Sequence, residues 1–194
     1  MQVTNDQNLI DTIARYYVER GALSIGDFAL VGGGRSDFYI DGRLITTHTT
    51  ALKQIAQVFS HHIREKVLLG PHDTLIAPVL SGIPVAVATA LELNVDYVMD
   101  RGVAKEHGIG RRFEGAFNDG ARCLIVDDLI TVGSTVVNTI KELVADGREI
   151  TDVIVIVNRQ EGGEEALRDL GVELHWLVTK NDLISALQGD DDAK

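Results

Sequence analysis

Apolar residues along this chain repeat with two different periods, and the period switches several times. Leu9, Ile10, Ile13, Tyr17 and Val18 share one face of a helix predicted over residues 6–20, with Asp6 as its cap and Gly21 as its stop. Two short strands then flank Gly32, Gly33 and Gly34, which read as a tight hairpin turn. Leu52, Ile55, Ala56, Phe59 and Ile63 return to helical spacing over residues 50–66. From there strands and helices alternate. Strands are predicted at 74–78, 95–99, 123–126, 150–157 and 172–178, and helices at 83–93, from 134 to about 146, at 164–170 and at 180–187. That order predicts an α/β fold with a mainly parallel sheet and helices on both faces.

One segment breaks the pattern. Residues 101–120 show no apolar periodicity, and loops this long are uncommon unless functional. The chain has 194 residues, with 29 acidic and 18 basic side chains, for a net charge of −11. Within it, Arg101, Lys105, Arg111 and Arg112, with His107, reverse the charge locally. A basic, glycine-flanked loop suits a lid over a polyanionic substrate; the plain alternative is an exposed loop with incidental charge. The overall acidity argues against a nucleic-acid partner or an anionic membrane surface. Cys123, the single cysteine, falls in a core strand, so no disulfide framework is expected. No N-terminal apolar targeting segment and no apolar run near 18 residues is visible, and a cytoplasmic protein is expected. His61 and His62 point about 100° apart on a helix and cannot easily share a metal, so one is expected in solvent and one at the boundary.

The chemistry gathers in residues 122–136. Asp127 and Asp128 stand at the end of a buried strand, and a small-residue turn with a helix follows. Open α/β sheets bind ligands at such strand ends. A helix N-terminus offers unpaired amides to a phosphate, Gly133 allows close approach, and Thr131, Ser134 and Thr135 add hydroxyls. The aspartates would repel a phosphate, so ribose hydroxyls and a divalent cation are their natural guests. Amides at Leu80, Ser81 and Gly82 open another helix and could hold a second anion, such as pyrophosphate. Arg159 closes the strand at 150–157, where its fork could take a carboxylate or pair with Asp127 or Asp128. Arg43 either reaches a ligand or pairs with a neighbouring carboxylate, and the second reading is preferred. Receiver domains also carry a strand-end acidic pair, but normally after the first strand and without the Thr-x-Gly-Ser-Thr turn.

Ile125-Val126-Asp127-Asp128-Leu129-Ile130-Thr131-Val132-Gly133-Ser134-Thr135 resembles the phosphoribosyl-pyrophosphate signature of type I phosphoribosyltransferases. The segment Gly33-Gly34-Arg35-Ser36-Asp37-Phe38-Tyr39-Ile40-Asp41 is similar to the N-terminal hairpin of the orotate phosphoribosyltransferases, which forms a hood over the base. Arg101-x-x-x-Lys105-x-His107-Gly108 resembles their catalytic loop, which in that family reaches into the neighbouring subunit of a homodimer. Together the resemblances span about residues 20–187. They imply one phosphoribosyltransferase domain: a hood over about 1–45, a core over about 46–187 and a frayed tail at 188–194.

The implied reaction joins orotate to phosphoribosyl pyrophosphate, giving orotidine 5′-phosphate and pyrophosphate in pyrimidine biosynthesis. The resemblance implies contacts to phosphoribosyl pyrophosphate from Leu80, Ser81, Arg101, Lys105, His107, Asp127, Asp128, Leu129, Ile130, Thr131, Val132, Gly133, Ser134 and Thr135. Orotate would lie against Tyr39, Ile40 and Thr131, with its carboxylate on Arg159. Lys105 and Asp128 are the implied catalytic residues, and Mg²⁺ is the implied cofactor, held indirectly by Asp127 and Asp128. Two departures stand out. Ser81 and Gly102 occupy positions where bacterial relatives carry lysines, and Arg111 or Arg112 are candidate substitutes. The competing readings are a transferase for another nucleobase and a non-catalytic regulator that senses phosphoribosyl pyrophosphate.

Overall fold

The computed structural model describes residues 1–29, 35–70, 72–102 and 112–191. Helix α1 (Gln7–Glu19) starts where the Asp6 carboxylate accepts the Asn8 amide, and it buries Ile10, Ile13, Ala14 and Tyr17. Strands β1 (Leu23–Ala29) and β2 (Arg35–Ile40) form an antiparallel two-stranded sheet with an irregularity between Ile25 and Phe28. The expected turn at Gly32–34 lies outside the described residues. A short helix, α2 (Arg43–Thr46), leads into α3 (Thr49–His62) and a π-helical turn (Ile63–Val67) that Leu68 ends at φ 57°.

The second sheet positions the site. Its strands are β3 (Thr74–Pro78), β4 (Asp96–Asp100), β5 (Phe113–Glu114), β6 (Arg122–Ile130), β7 (Glu149–Asn158) and β8 (Glu173–Thr179). They lie in the order β5-β4-β3-β6-β7-β8, parallel except for the β4–β5 pair. Alternation sorts the side chains between faces. Leu124, Val126, Ile154 and Ile156 join the core formed with α1, α3, α4 (Gly82–Leu93) and α7 (Lys180–Asp191). Cys123, Ile125, Val153 and Val155 pack beneath α5 (Ser134–Ala145) and α6 (Gly163–Arg168). Helices therefore cover both faces, as the periodicity predicts. Among the described residues, no helix is long and apolar enough to cross a membrane.

Three elements depart from the sequence reading. Strand β6 does not end before the aspartates but carries them, because β7 continues to pair with it as far as Ile130↔Asn158. Its other neighbour, β3, pairs only as far as Ile125, so the acidic pair projects past the end of β3. The region read as unstructured contains β5, held to β4 by Met99↔Glu114 and Asp100↔Phe113. The last helix continues to Asp191, past the expected frayed boundary at 188. Backbone bonding propagates at little cost once the helix exists.

The base of the basic segment is pinned by a buried knot. Asp100 accepts two bonds from Arg112, at 2.6 and 2.8 Å, one from the Thr139 hydroxyl at 2.5 Å, and one from the Gly102 amide at 2.8 Å. The Arg112 guanidinium also donates to Thr139, at 3.1 Å. Arg112 is thus committed to the fold and does not fit the expected role of a substitute pyrophosphate ligand. Burial alone would raise the Asp100 carboxyl, but the bonds from Arg112, Thr139 and Gly102 hold it below its ordinary 3.8. A depressed carboxylate contributes stability above its unfolded value, and that contribution is lost as pH falls through the folded value. Asp100→Asn leaves Arg112 buried without its partner and should cost about 3–5 kcal/mol at pH 7. Thermal melts from pH 7 to pH 3 should show a lower Tm at neutrality and a shallower acid limb. An acid limb as steep as that of the wild type would rule out Asp100 as a source of the acid sensitivity.

Candidate active site

The C-terminal ends of β3, β6 and β7 converge on one crevice. Asp128 is 6% exposed and Asp127 is partly buried. The Asp127 carboxylate accepts the amide of Asp128 at 2.8 Å. Ser81, in the turn between β3 and α4, bonds the Asp128 carboxylate. Burial first, and then the charge of Asp128, push Asp127 well above the ordinary carboxylate value. Burial also raises Asp128, against the opposing bonds from Asp127 and Ser81. Two adjacent carboxylates in a poorly solvated crevice are thus poised to gain from a cation or from hydroxyl donors.

Backbone comes unusually close to the pair. A methyl group on Gly42 would lie 2.0 Å from Oδ2 of Asp128, and one on Gly82 would lie 2.8 Å from Oδ1 of Asp127. Neither glycine was singled out in the sequence for this role, since nothing local signals a contact so far along the chain. Tyr17 is a third residue whose place beside the acidic pair the sequence reading missed. Its buried hydroxyl has no hydrogen-bond partner among the described residues, and burial followed by the charge of Asp128 raises it well above 10.

The phosphate-type turn lies on the other side. Ser134 and Thr135 are exposed at the start of α5, Thr131 is half-buried, and Gly133 caps the helix at φ 79°. The first-turn amides of a helix have no intrahelical acceptor and face outward with the positive end of its dipole. Two bonds brace the turn from behind: Arg159 N–H to the Ile130 carbonyl and Gly163 N–H to the Thr131 carbonyl, both at 3.0 Å. Leu129 is half-buried, Ile130 is buried and Val132 is exposed.

The second anion-type turn, residues 79–82, is tied to β4 by the Val79 N–H to Asp100 carbonyl bond at 2.9 Å. Its Val79–Leu80 peptide is cis, and Leu80 is 72% exposed. Val79, Met99, Arg101 and Glu114 line an adjoining cavity of ≈ 500 Å³. Arg101 is bonded there to Glu114, at 3.2 Å. Lys105, His107 and Arg111 lie outside the described residues.

On the hairpin side, Arg159 is 6% exposed and bonds Glu161 at 3.0 Å. It also reaches the Phe38 carbonyl of β2, at 3.5 Å. Lys180 adds a cation over the Phe38 ring, 5.8 Å from its centre. Arg159 therefore fastens the hairpin to the strand end. Tyr39 is 41% exposed and stacks at a tilt near Phe28, whereas the Ile40 side chain is buried in the core. Successive strand residues face opposite ways. Of the two residues expected against the base, Tyr39 turns its side chain outward and Ile40 turns its side chain into the core. Arg43 pairs with Asp41 at 2.7 Å, the preferred of its two readings.

A strand-end crevice with buried acids between two helix-opening turns is the architecture of a sugar-phosphate site on a doubly wound α/β sheet. The family described as phosphoribosyl transferase domain matches residues 44–170. The orotate phosphoribosyltransferase of Halobacterium salinarum is 39% identical over 166 residues, covering 85% of this chain and 91% of its own. The crystal structure of orotate phosphoribosyltransferase from Aeropyrum pernix superposes with a TM-score of 0.77 at 27% identity, covering 91% of this chain and 99% of that one. UMP synthase from Leishmania donovani gives a TM-score of 0.80 at 25% identity over 93% of this chain, which spans only 38% of that longer chain. The chain belongs to the phosphoribosyltransferases and, within them, to the orotate phosphoribosyltransferase family.

The contact between Gly42 and Asp128 makes a specific prediction. Gly42→Ala should destabilise by about 1–3 kcal/mol through overpacking. Asp128→Ala in the same chain removes the opposing atoms and should recover most of that loss. Equilibrium denaturation of the two single variants and the double variant measures the coupling. Simple additivity would show that the methyl group is accommodated elsewhere.

Proposed function

We propose that this protein transfers the phosphoribosyl group of phosphoribosyl pyrophosphate to orotate, releasing pyrophosphate and forming orotidine 5′-phosphate. The observation that carries this reading is the buried Asp127–Asp128 pair set between the Ser81 turn and the exposed hydroxyls of Ser134 and Thr135, in a chain of this family. In this reading the 131–135 turn holds the 5′-phosphate with backbone amides and hydroxyls. Asp127 and Asp128 accept the ribose hydroxyls. Leu80 and Ser81 offer amides to pyrophosphate. Tyr39 and Thr131 flank the base, and Arg159 meets its carboxylate in competition with Glu161.

No protein nucleophile is required. A ring nitrogen of orotate forms the new bond to the ribose as the bond to pyrophosphate breaks. The rate gain comes from aligning the two reactants and from stabilising charge on the leaving group. Lys105, His107 and Arg101 supply positive charge to the pyrophosphate, and Asp128 faces the cationic ribose. Mg²⁺ fits the site, because two adjacent carboxylates, both raised by burial and Asp127 also by the charge of Asp128, gain from a divalent cation. Asp127 and Asp128 would hold it indirectly, with the substrate supplying most of its ligands. It would supply further charge neutralisation at the pyrophosphate. We further propose a cytoplasmic homodimer, with β1 and β2 as the hood over about 1–45 and the 103–111 segment acting on the partner's site.

Loss of orotate absorbance on addition of phosphoribosyl pyrophosphate tests the activity, with uracil and purine bases as competing acceptors. The expected result is Mg²⁺-dependent consumption of orotate alone; consumption of another base in its place would overturn the assignment. Lys105→Ala should lower kcat by about 100-fold or more while changing substrate affinity little, the pattern of an interaction made in the transition state. An unchanged kcat removes Lys105 from the mechanism. Mixed dimers of Lys105→Ala and Asp128→Asn chains should regain activity at one intact composite site, and no regain would place the whole site within one subunit.

A further inference from the structure

A second cluster of ligand-type side chains sits toward the opposite end of the sheet, six residues before the end of β7, a distance of about 20 Å. Asp152 on β7 and Glu173 on β8 are register partners, and His175 follows two residues later on the same face. One carboxylate oxygen from each acid and a ring nitrogen of His175 lie within 4.8 Å of one another. His175 is 1% exposed, and Glu173 is exposed at the rim.

The His175 ring is held from both of its nitrogens. His62 Nε2 meets His175 Nδ1 at 3.0 Å, and His175 Nε2 meets Asp152 Oδ1 at 2.7 Å. His62 also bonds the backbone of Val3. The Val3 N–H is already given to the Trp176 carbonyl at 2.7 Å, so the Val3 group facing His62 is its carbonyl, which can only accept. The relay thus runs from Val3 through His62 and His175 to Asp152, and it sets the orientation of the His175 ring with Nε2 turned toward the carboxylates.

We propose that Asp152, Glu173 and His175 form a binding site for a divalent transition-metal ion of the Zn²⁺ class. One imidazole and two carboxylates suit such ions, and water completes the shell. The supporting groups are already in place. His175 donates its other N–H to His62, His62 donates to Val3, and the Thr151 hydroxyl bonds Oδ2 of Asp152 at 2.6 Å. On metal binding the His175–Asp152 separation opens from 2.7 Å to about 3.3 Å, as tetrahedral bonds near 2.0–2.1 Å require. The charges facing the cluster from other elements are Arg122, Lys66 and the Met1 ammonium. These cations moderate the affinity. Through His62 and Val3, a bound ion would fasten the first residues and the end of α3 to the β7–β8 edge.

The test uses the full chain after treatment with a chelator. Calorimetry with ZnCl₂ should show one equivalent bound with a Kd in the micromolar range, and saturation should raise Tm by about 5 °C or more. Co²⁺ should give an absorption spectrum of mixed nitrogen and oxygen ligation. Glu173→Gln changes an exposed rim residue, so it should leave the metal-free Tm unchanged while weakening Zn²⁺ binding by about 10-fold or more. His175→Gln should abolish the Co²⁺ nitrogen signature. Failure to bind Zn²⁺ at about 1 mM overturns the proposal, as does undiminished affinity in Glu173→Gln. None of these measurements depends on the transferase assignment.

Discussion

Everything in the crevice is arranged around one electrostatic difficulty, the burial of two neighbouring carboxylates on β6. Strand β6 runs on beyond the end of β3, with β7 alone still pairing beside it. The carboxylates meet backbone at Gly42 and Gly82, where a side chain of any size would collide with them. Ser81 gives Asp128 a hydroxyl partner, and no described ion pair neutralises either acid. Among the described residues the two carboxylates are therefore incompletely solvated and incompletely paired. Groups that offer hydroxyls or positive charge at this point are favoured over water, which is the condition for electrostatic preorganisation.

The surrounding elements keep this arrangement from relaxing. The 131–135 turn is held from behind by Arg159 and Gly163, and the 79–82 turn is tied to β4. Asp100, Arg112 and Thr139 connect the end of β4 to α5, so the stem of the basic segment and the phosphate-type helix share one buried junction. Arg159 and Lys180 hold the hairpin through Phe38. The rigid parts of the site thus come from strand ends and short braced turns, where small displacements are resisted by the packed sheet below.

Much of this was legible in the sequence because the signals are local. Alternating periods gave the parallel sheet and its two helical layers, and the run from Ile125 to Thr135 brought acids, hydroxyls and a helix start together within eleven residues. What could not be read depends on distant partners. Gly42 and Asp128 are 86 positions apart, and nothing near Gly42 reports the carboxylate above it. Arg112 looked like a spare cation in a basic segment, yet Asp100 and Thr139 claim it. Of His61 and His62, the periodicity puts one in solvent and one at the boundary, whereas His61 is exposed and His62 is buried against His175, 113 residues further on. The full length of β6 is not visible in its pattern, because Asp127 and Asp128 interrupt its apolar run and only pairing with β7 carries the strand through them.

The first residues have a consequence for how copies of this chain can meet. Gln2 bridges Trp176 in parallel, and Val3 donates to the Trp176 carbonyl, so the outer edge of β8 is already occupied. At the far edge of the sheet, β5 is only two residues long. Neither margin of the six-stranded sheet offers a long row of open amides and carbonyls to a neighbour. The six-stranded sheet is thus protected from being lengthened strand by strand into an aggregate.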